Sequence, residues 1–218
     1  MKDFGAFVNF GNIYFSCEKD PVCSVKDLKI YGEHNISNAL AAITVAKLQG
    51  ISVTAIKKVI SKFFGVANRQ ELVAEKRGVK YFNDTTATMP QAAIQAIKTF
   101  VLRFPEAKII LIAGGQDKNL SYEDLARIIQ EKIGILVLLP GTASEKIKTA
   151  LAMLAPDRNV ETQEVESMEE AVSAASKLAK FGDIVLLSPG AASFNLFTNE
   201  FDRGEKFIRA VKKIKNAR

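Results

Sequence analysis

The chain has 218 residues, of which 48% are hydrophobic and 25% are charged, and its formal net charge is +6. These values are ordinary for a soluble protein with one domain plus a smaller part, since a domain usually contains about 100 to 200 residues. No segment reaches the roughly 18 to 20 consecutive apolar residues of a membrane span, and the start of the chain lacks the apolar core of a secretory signal. We therefore expect a cytoplasmic protein without membrane insertion.

The first part of the chain predicts only a small core. Short strands or hairpins are expected at 6–9, 12–16 and 26–30, followed by helices at 35–48 and 53–63. Two helices and a few short strands offer few surfaces against which their apolar side chains can be buried. This part is therefore expected to be the end of a domain whose beginning is absent, with 64–69 as the candidate boundary.

The two cysteines, Cys17 and Cys23, also lie in this first part. They lack the Cys-x-x-Cys spacing and the further ligands of a zinc site. An isolated disulfide is the alternative, but we expect reduced, structural thiols in a cytoplasmic protein. His34 is the only histidine, which excludes metal sites that are rich in histidine.

The second part alternates short Val/Ile/Leu-rich strands with helices. Strands are predicted at 79–82, 108–113, 135–139 and 183–187, and helices at 90–102, 122–132, 144–154 and 168–180. A further strand at 71–75 is expected to add a hairpin at the edge. This alternation indicates βαβ units, so the predicted fold class is α/β, with a Rossmann-like, mostly parallel sheet and helices on both faces.

The positive charge is concentrated at the end of the chain. The segment 205–218 has six Lys or Arg against one Glu, and Phe207, Val211 and Ile214 recur at helical spacing. This pattern predicts an amphipathic helix with basic residues near its C-terminus, where the helix dipole favours them. No basic stripe with interleaved aromatic residues occurs elsewhere, so we expect no nucleic-acid partner.

Three loops that follow predicted strands are rich in small and polar residues. They are 83–88, 114–118 and 188–194. Ligands of an open parallel sheet bind outside the carboxyl ends of the strands, where hydroxyls, free helix amides and a lysine favour an anion. Thr88 also has a local alternative, because with Gln91 it fits a capping box and Pro90 fits the first helical turn. The loops therefore predict a carboxylate or phosphate site.

Five separated motifs occur together in the order and approximate spacing of one family. They are GEHNISNALAA at 32–42, NR at 68–69, NDTTAT at 83–88, GGQDK at 114–118, and SPGAASF at 188–194, which FTN at 197–199 and RG at 203–204 follow. On these residues the chain resembles the Mur ligases, and most closely the members that add D-glutamate to UDP-N-acetylmuramoyl-L-alanine. The resemblance extends from about residue 32 to the C-terminus.

The resemblance implies an ATP-dependent ligase of peptidoglycan synthesis. With ATP and Mg²⁺, such enzymes convert the carboxylate of the nucleotide-sugar substrate to an acyl phosphate, which the amine of the amino acid attacks. Their three domains bind the UDP-sugar, the phosphates of ATP with Mg²⁺, and the amino acid. Residues 1–68 would then be the tail of the central, ATP-binding domain, and residues 69–218 would be the whole C-terminal domain. The N-terminal portion of such a ligase, which this sequence does not contain, would then be a binding partner of this chain.

The resemblance also assigns roles to individual residues. Contacts with the nucleotide are expected at Asn35 and Asn38 on the adenine side, and at Arg69 and Asp84 near the ribose and phosphates. Contacts with the carboxylates of D-glutamate are expected at Thr88, Lys118, Ser193 and the backbone of Phe194.

The chain departs from many relatives at four positions. This chain has Thr86 in place of a lysine and Gly190 in place of a cysteine. It has Asn68 in place of a histidine, which would have been the one candidate metal ligand. It has Glu200 in place of an aromatic residue, for which the neighbouring Phe201 could substitute. The sequence also has no Gly-x-x-x-x-Gly-Lys-Ser/Thr phosphate loop. We therefore expect this chain alone to be inactive in ligation. Two alternatives stay open: a non-catalytic module that binds nucleotide or amino acid, and a Mur or folylpolyglutamate-type ligase with a different amino acid.

Overall fold

The computed structural model describes residues 4–16, 18–154 and 160–215. The chain divides into two compact units, Met1–Gly65 and Val66–Arg218, and each has a hydrophobic core of its own. The boundary expected between residues 68 and 69 lies just after this division. None of the helices in the described ranges is long and apolar enough to cross a membrane.

The first unit consists of three short strands and two helices. Strands β1 (Ala6–Asn9) and β2 (Asn12–Phe15) form an antiparallel hairpin, and β3 (Cys23–Ser24) pairs with β2. Helices α1 (Glu33–Leu48) and α2 (Val53–Ile60) complete the unit. Its core is small and is formed by Ile13, Phe15, Val22, Cys23, Ile43 and Ile56.

The strand expected at 26–30 is wrong. Val25–Asp27 forms one turn of 3-10 helix instead. The hydroxyl of Ser24 accepts a hydrogen bond from the Lys26 amide, and the Asp27 carboxylate accepts one from the Ser24 amide. This capping box satisfies backbone donors locally, so the segment turns rather than extends.

Of the two cysteines, Cys23 is buried and has a free thiol. Cys17 lies outside the described residues, so the expectation for it stays a prediction.

The second unit is built on a six-stranded sheet. Its strands are β4 (Glu71–Lys76), β5 (Val79–Asn83), β6 (Ile109–Gly114), β7 (Ile135–Leu139), β8 (Glu161–Glu164) and β9 (Ile184–Leu187). Their order in the sheet is β4-β5-β9-β6-β7-β8, and only the β4–β5 pair is antiparallel. The predicted α/β fold with a mostly parallel sheet is therefore confirmed, and the predicted strands end within a residue of the observed limits.

Helices cover both faces of this sheet. Helices α3 (Pro90–Arg103), α4 (Glu123–Lys132) and α5 (Thr142–Met153) pack on one face, whereas α6 (Met168–Leu178) and α7 (Glu200–Lys212) pack on the other. Alternate residues of β6 serve the two layers, because Leu111 belongs to the first core cluster and Ile110 and Ile112 belong to the second. The sheet is thus buried on both faces.

Strand β8 is a strand that the sequence did not predict. Its sequence, ETQE, has no apolar residue, and all four side chains are exposed. It lies at the edge of the sheet, where it pairs only with β7. Charged residues on an edge strand hinder pairing with the sheet of another molecule.

The order of the strands places a topological switch point at the carboxyl ends of β5, β9 and β6. Strand β5 connects through α3 to β6 and passes over β9, which lies between them and leads to α7 on the opposite face. Ligands of open α/β sheets bind outside the carboxyl ends of the strands at such switch points. The three polar loops all begin at this edge.

Candidate functional site

Backbone hydrogen bonds join the three polar loops to one another. The loop 188–194 lies in the middle and bonds to both of its neighbours. The bonds run from Gly190 N to Ala87 O at 2.8 Å, from Gly114 N to Pro189 O at 2.9 Å, and both ways between Gln116 and Ala192 at 2.9 and 3.0 Å. The structure therefore brings together the loops that carry Thr88, Lys118 and Ser193.

The close approach of these loops requires glycine at Gly115. Its φ is +133°, in the region that favours glycine, and a Cβ there would overlap the carbonyl oxygen of Ala192. The same oxygen accepts the hydrogen bond from Gln116. The diglycine therefore lets two loops of the candidate site pack backbone against backbone.

Thr88 does not cap helix α3. The helix begins at Pro90 with Met89 as its N-cap, and no side chain caps it. The capping box predicted for Thr88 is therefore wrong, whereas Pro90 in the first turn is confirmed. The Thr88 amide donates to Thr86 O at 2.8 Å, and no hydrogen bond among the described residues uses the Thr88 hydroxyl. That hydroxyl is available to a ligand.

Lys118 extends from the loop after β6 and is exposed. It forms no ion pair with a carboxylate in the described part of the chain. Its neighbour Asp117 is held by other groups, since it forms an ion pair with Lys146 and its Oδ1 accepts from Leu120 N at 3.1 Å. The Lys118 ammonium group can therefore receive an incoming carboxylate.

Ser193 and Phe194 form the end of the loop after β9. Ser193 is buried, and its carbonyl oxygen accepts hydrogen bonds from Leu196 N and Phe197 N at 3.3 and 3.0 Å. The Phe194 ring is 69% exposed. The Phe194 amide has no acceptor among the described residues, so this turn leaves a backbone donor for a ligand.

Asp84 lies beneath these loops and is only 4% exposed. Its Oδ2 accepts from Ser188 Oγ at 2.8 Å, and its Oδ1 accepts from Gln70 N at 3.2 Å. Burial raises the pKa of Asp84 to about 7, although these two hydrogen bonds and the charge of Arg69 act to lower it. Asp84 thus ties the segment before β4 to the loop after β9.

Arg69 is exposed and lies between two residues with unusual backbone angles. Asn68 has φ +68° and Gln70 has φ +48°, both in the left-handed region that side chains other than glycine rarely adopt. Such conformations cost free energy and cluster at functional sites. The strained turn supports a binding role for Arg69.

Asn68 and Thr86, two of the positions at which a departure from the family pattern is expected, contact each other. The hydroxyl and the amide of Thr86 both donate to Asn68 O, at 3.1 and 3.3 Å. Asn68 Oδ1 accepts from Asn83 Nδ2 at 2.9 Å. Asn68, Thr86 and Asn83 therefore form one hydrogen-bonded group beside Asp84.

Arg203 joins Thr85, in the loop after β5, to the loop after β9, a role that the sequence did not reveal. It is fully buried on α7, and burial lowers its pKa to about 10 although Glu200 acts to raise it. Nε and Nη2 donate to Thr85 Oγ1 and Thr85 O at 3.0 and 2.8 Å, and Nη1 donates to Ala191 O at 3.0 Å. The sequence feature that could have indicated this role is the Arg-Gly pair inside an amphipathic helix, because an arginine at an apolar position of such a helix is unusual.

Asn35 and Asn38 lie in the first unit, in the first turns of α1. Asn38 Nδ2 donates to Asn35 Oδ1 at 3.2 Å, and Asn35 Nδ2 donates to Tyr31 O at 2.7 Å. They form a pair of neighbouring amides on one helix.

The family described as "Mur ligase, glutamate ligase domain" matches residues 68–190, which is more than half of the chain. The chain belongs to the Mur ligase family.

Mur ligases from several bacteria are similar to this chain in sequence. It is 45% identical over 87% of its length to the UDP-N-acetylmuramoylalanine--D-glutamate ligase of Roseiflexus sp. (strain RS-1). It is 43% identical over 95% of its length to the enzyme of that name from Caldanaerobacter subterraneus subsp. tengcongensis. The chain covers 40% and 44% of these relatives, so it spans less than half of their length.

Solved structures of Mur ligases share the fold. The UDP-N-acetylmuramate-alanine ligase MurC from Thermotoga maritima matches with a TM-score of 0.65 and 19% identity, over 86% of this chain and 40% of MurC. MurF ligase from Thermotoga maritima in complex with ADP matches with a TM-score of 0.61 and 17% identity, over 95% of this chain and 46% of MurF. At these identities the likeness shows the fold alone.

The residues predicted to contact the amino acid all lie in the second unit, whereas those predicted to contact the nucleotide are divided between the two units. The four residues predicted for D-glutamate lie on loops that are bonded to each other, as described above. Asp84 belongs to one of these loops and Arg69 lies in the turn that bonds to it through Gln70, whereas Asn35 and Asn38 belong to the other unit. The roles of all eight residues remain predictions.

Proposed function

We propose that this chain is part of a UDP-N-acetylmuramoylalanine--D-glutamate ligase and that its second unit binds D-glutamate. The observation that carries this proposal is the identity of 43% to 45% with relatives of that name over 87% to 95% of the chain. The proposal concerns what these residues contribute, because the relatives are more than twice as long as their matched part.

The donors of the joined loops suit a molecule with two carboxylates. Lys118 supplies a positive charge, the hydroxyls of Thr88 and Ser193 supply neutral donors, and the Phe194 amide supplies a directed backbone donor. Hydrogen bonds to an ionised carboxylate are stronger than those between neutral groups. If the carboxylates of D-glutamate are held in this way, its amine stays unbound and can be oriented toward the carbonyl group that it attacks.

Nucleotide contacts are proposed for only part of the ATP molecule. ATP supplies the phosphoryl group that activates the carboxylate of the second substrate. Arg69 and Asp84 are proposed for the ribose and phosphates, and Asn35 and Asn38 for the adenine. The sequence has no phosphate loop, and the described ranges contain no group of three His, Cys, Asp or Glu that could hold a metal ion. We therefore assign Mg²⁺ to no residue of this chain.

Titration calorimetry of the whole chain with D-glutamate tests the binding step. We expect heat of binding with D-glutamate and much less with L-glutamate. Lys118→Ala should weaken the affinity about tenfold, the effect of losing one charge-assisted hydrogen bond. Lys98→Ala, which removes an exposed lysine on α3, is the matched control and should leave the affinity unchanged. Equal affinities of the two variants would exclude the proposed role of Lys118.

Thr88→Val tests the role of the hydroxyl separately from the stability of the helix. Because Met89 and not Thr88 is the N-cap, the variant should change the free energy of unfolding by less than about 0.5 kcal/mol, whereas loss of a true cap costs about 1 kcal/mol. It should nevertheless weaken D-glutamate binding. A loss of stability without a loss of affinity would support the capping role instead.

A chimeric enzyme tests the complete reaction. In it, this chain replaces the matching 44% of the Caldanaerobacter subterraneus relative. The chimera should release phosphate from ATP only when UDP-N-acetylmuramoyl-L-alanine and D-glutamate are both present, and the chain alone should release none. A chimera that binds D-glutamate without turnover would favour a non-catalytic module, and one that uses meso-diaminopimelate instead would favour a ligase with another amino acid.

A further inference from the structure

A cavity of about 350 Å³ lies on the second unit between α6, α7 and the turn that joins β4 to β5. Val172, Ala210 and Ile214 form the apolar part of its wall. Arg77, another wall residue, precedes β5, whose opposite end leads into Asp84. A five-residue strand is roughly 16 Å long. The cavity therefore lies near the amino end of β5, and the candidate site lies at its carboxyl end.

Four cationic side chains line this basic cavity. They belong to Arg77, Lys177, Lys213 and Lys215, and Glu169 is the only acidic residue among the wall residues that the structure describes. None of the four forms an ion pair with a carboxylate in the described ranges. The formal charge of the wall is therefore +3.

The ends of the neighbouring helices compensate only part of this charge. Helix α7 ends at the cavity, and its C-terminus carries the equivalent of about half a negative charge, whereas α6 lines the cavity along its whole length and contributes both of its ends. Arg77 Nε donates to Lys215 O at 3.0 Å, which satisfies a carbonyl just beyond α7 and holds the guanidinium at the cavity. A net positive charge of more than about two therefore remains.

We propose that the basic cavity binds a small ligand through a phosphate group. The guanidinium of Arg77 and the ammonium groups of the lysines are the groups that bind phosphate oxygens in proteins. The Ser173 hydroxyl is a further donor on the wall, and the apolar residues suit a carbon part joined to the phosphate. The volume lies within the range of about 300 to 1,000 Å³ that is typical of ligand sites.

The phosphate group has two chemical sources, a soluble phosphate compound and the headgroup of an anionic phospholipid. Phe181 bears on this choice. Its side chain is 88% exposed and covers Gly78, which follows Arg77. An exposed aromatic ring beside cations is suited to a membrane surface, so the two sources require separate experiments.

The first experiment measures binding of inorganic tripolyphosphate to the whole chain by calorimetry. Lys177→Gln with Lys213→Gln removes two cations of the cavity, and Lys98→Gln with Lys132→Gln is the control with the same change of net charge on α3 and α4. We expect the cavity variant to bind at least about tenfold more weakly than the wild type. The control should bind within about twofold of the wild type, because it changes only the long-range field.

The second experiment measures cosedimentation with vesicles of phosphatidylglycerol, with phosphatidylcholine vesicles as the uncharged reference. If the source is a lipid headgroup, the wild type should bind only the anionic vesicles, and both the cavity variant and Phe181→Ser should lose that binding. Weaker binding of the cavity variant than of the control variant, in either experiment, supports the proposal. Loss of tripolyphosphate binding indicates a soluble phosphate compound, and loss of vesicle binding indicates a lipid headgroup. Equal effects of the cavity and control variants in both experiments, or no binding of either probe, would overturn it.

Discussion

Asp84 is a buried carboxyl group whose charged form is unfavourable in the folded protein. Its pKa is about 7 when folded, compared with an ordinary 3.8 that applies to the unfolded chain. Between these values the folded protein binds the proton more tightly than the unfolded chain does. The stability that Asp84 contributes is therefore fully present below pH 3.8 and is lost as the pH rises through about 7.

We predict that the wild type loses stability relative to Asp84→Asn as the pH rises from about 5 to about 8. Asparagine keeps the size of the side chain and stays uncharged, so the variant lacks this contribution to the pH dependence. Chemical denaturation at several pH values measures the two free energies of unfolding. Asp20→Asn, at an exposed carboxylate of the first unit, is the control and should show no such trend. A constant difference between Asp84→Asn and the wild type would refute the prediction.

Asn68 and Thr86 provide a second test with single residues. Because Thr86 bonds to the main-chain oxygen of Asn68, the two residues are in direct contact, and we predict that Asn68→His and Thr86→Lys interact energetically when combined. Asn68→His should cost about 1 to 3 kcal/mol, since it leaves the buried amide of Asn83 without its acceptor. The double variant should differ from the sum of the single variants by more than about 0.5 kcal/mol. Additive effects in a double-mutant cycle would mean that the two departures are independent.

Thr88 shows what a local motif can predict for one residue. The start of α3 was predicted correctly from the positions of Pro90 and the apolar residues that follow. The identity of the N-cap was not, because it depends on the backbone path of the loop. The loop is held by distant contacts, among them the bond from Thr86 to Asn68, eighteen residues earlier in the chain. A motif of four residues contains no information about a contact at this separation.

Among the elements, helix α7 is fixed to the loops of the candidate site by Arg203. We predict that Arg203→Met destabilises the second unit by about 2 to 4 kcal/mol, because the buried oxygens of Thr85 and Ala191 lose their donors. Chemical denaturation measures this loss. The variant should also weaken D-glutamate binding, since both bonded loops carry predicted contacts.

Arg209→Met on the same helix is the matched control. Its side chain is 71% exposed and pairs with Glu205 one turn away, so its loss should cost less than about 0.5 kcal/mol. If the two variants were equally stable, the buried hydrogen bonds of Arg203 would contribute nothing to the fold.

The elements themselves were predictable in proportion to their burial. Strands β6, β7 and β9 are buried on both faces, so each is a continuous apolar run that stands out in the sequence. Strand β8 has no buried side chain, and its backbone pairing with β7 is its only reason to be extended. The false strand at 26–30 has a different cause, because the side chains of Ser24 and Asp27 accept backbone hydrogen bonds and turn the segment.

At the scale of the whole molecule, the two units differ in the size of their cores. The second unit has two large clusters of buried residues, one on each face of its sheet, and the first has a single small cluster. We predict that limited proteolysis of the native chain leaves a resistant fragment close to residues 66–218. Mass spectrometry identifies it. Loss of this region before residues 4–65 would contradict the prediction.

The position of the candidate site was predictable, but its construction was not. The rule that ligands bind at the carboxyl ends of parallel strands identified the three loops before their arrangement was known. The sequence does not show, however, that β9 lies between β5 and β6, and this order is what makes the loop 188–194 central. The buried donors of Arg203 were equally hidden, because their partners lie 12 and 118 residues away.

The place of β9 also bears on how the protein is made. Strand β9 separates β5 from β6, yet it is the last of the six described strands of the sheet to be synthesised. The two earlier strands cannot complete their hydrogen bonding until Ile184–Leu187 is inserted between them. Such long-range pairing slows folding and keeps strand edges open during synthesis. The loop 188–194 follows β9 directly, so the candidate site takes shape only when β9 completes the sheet.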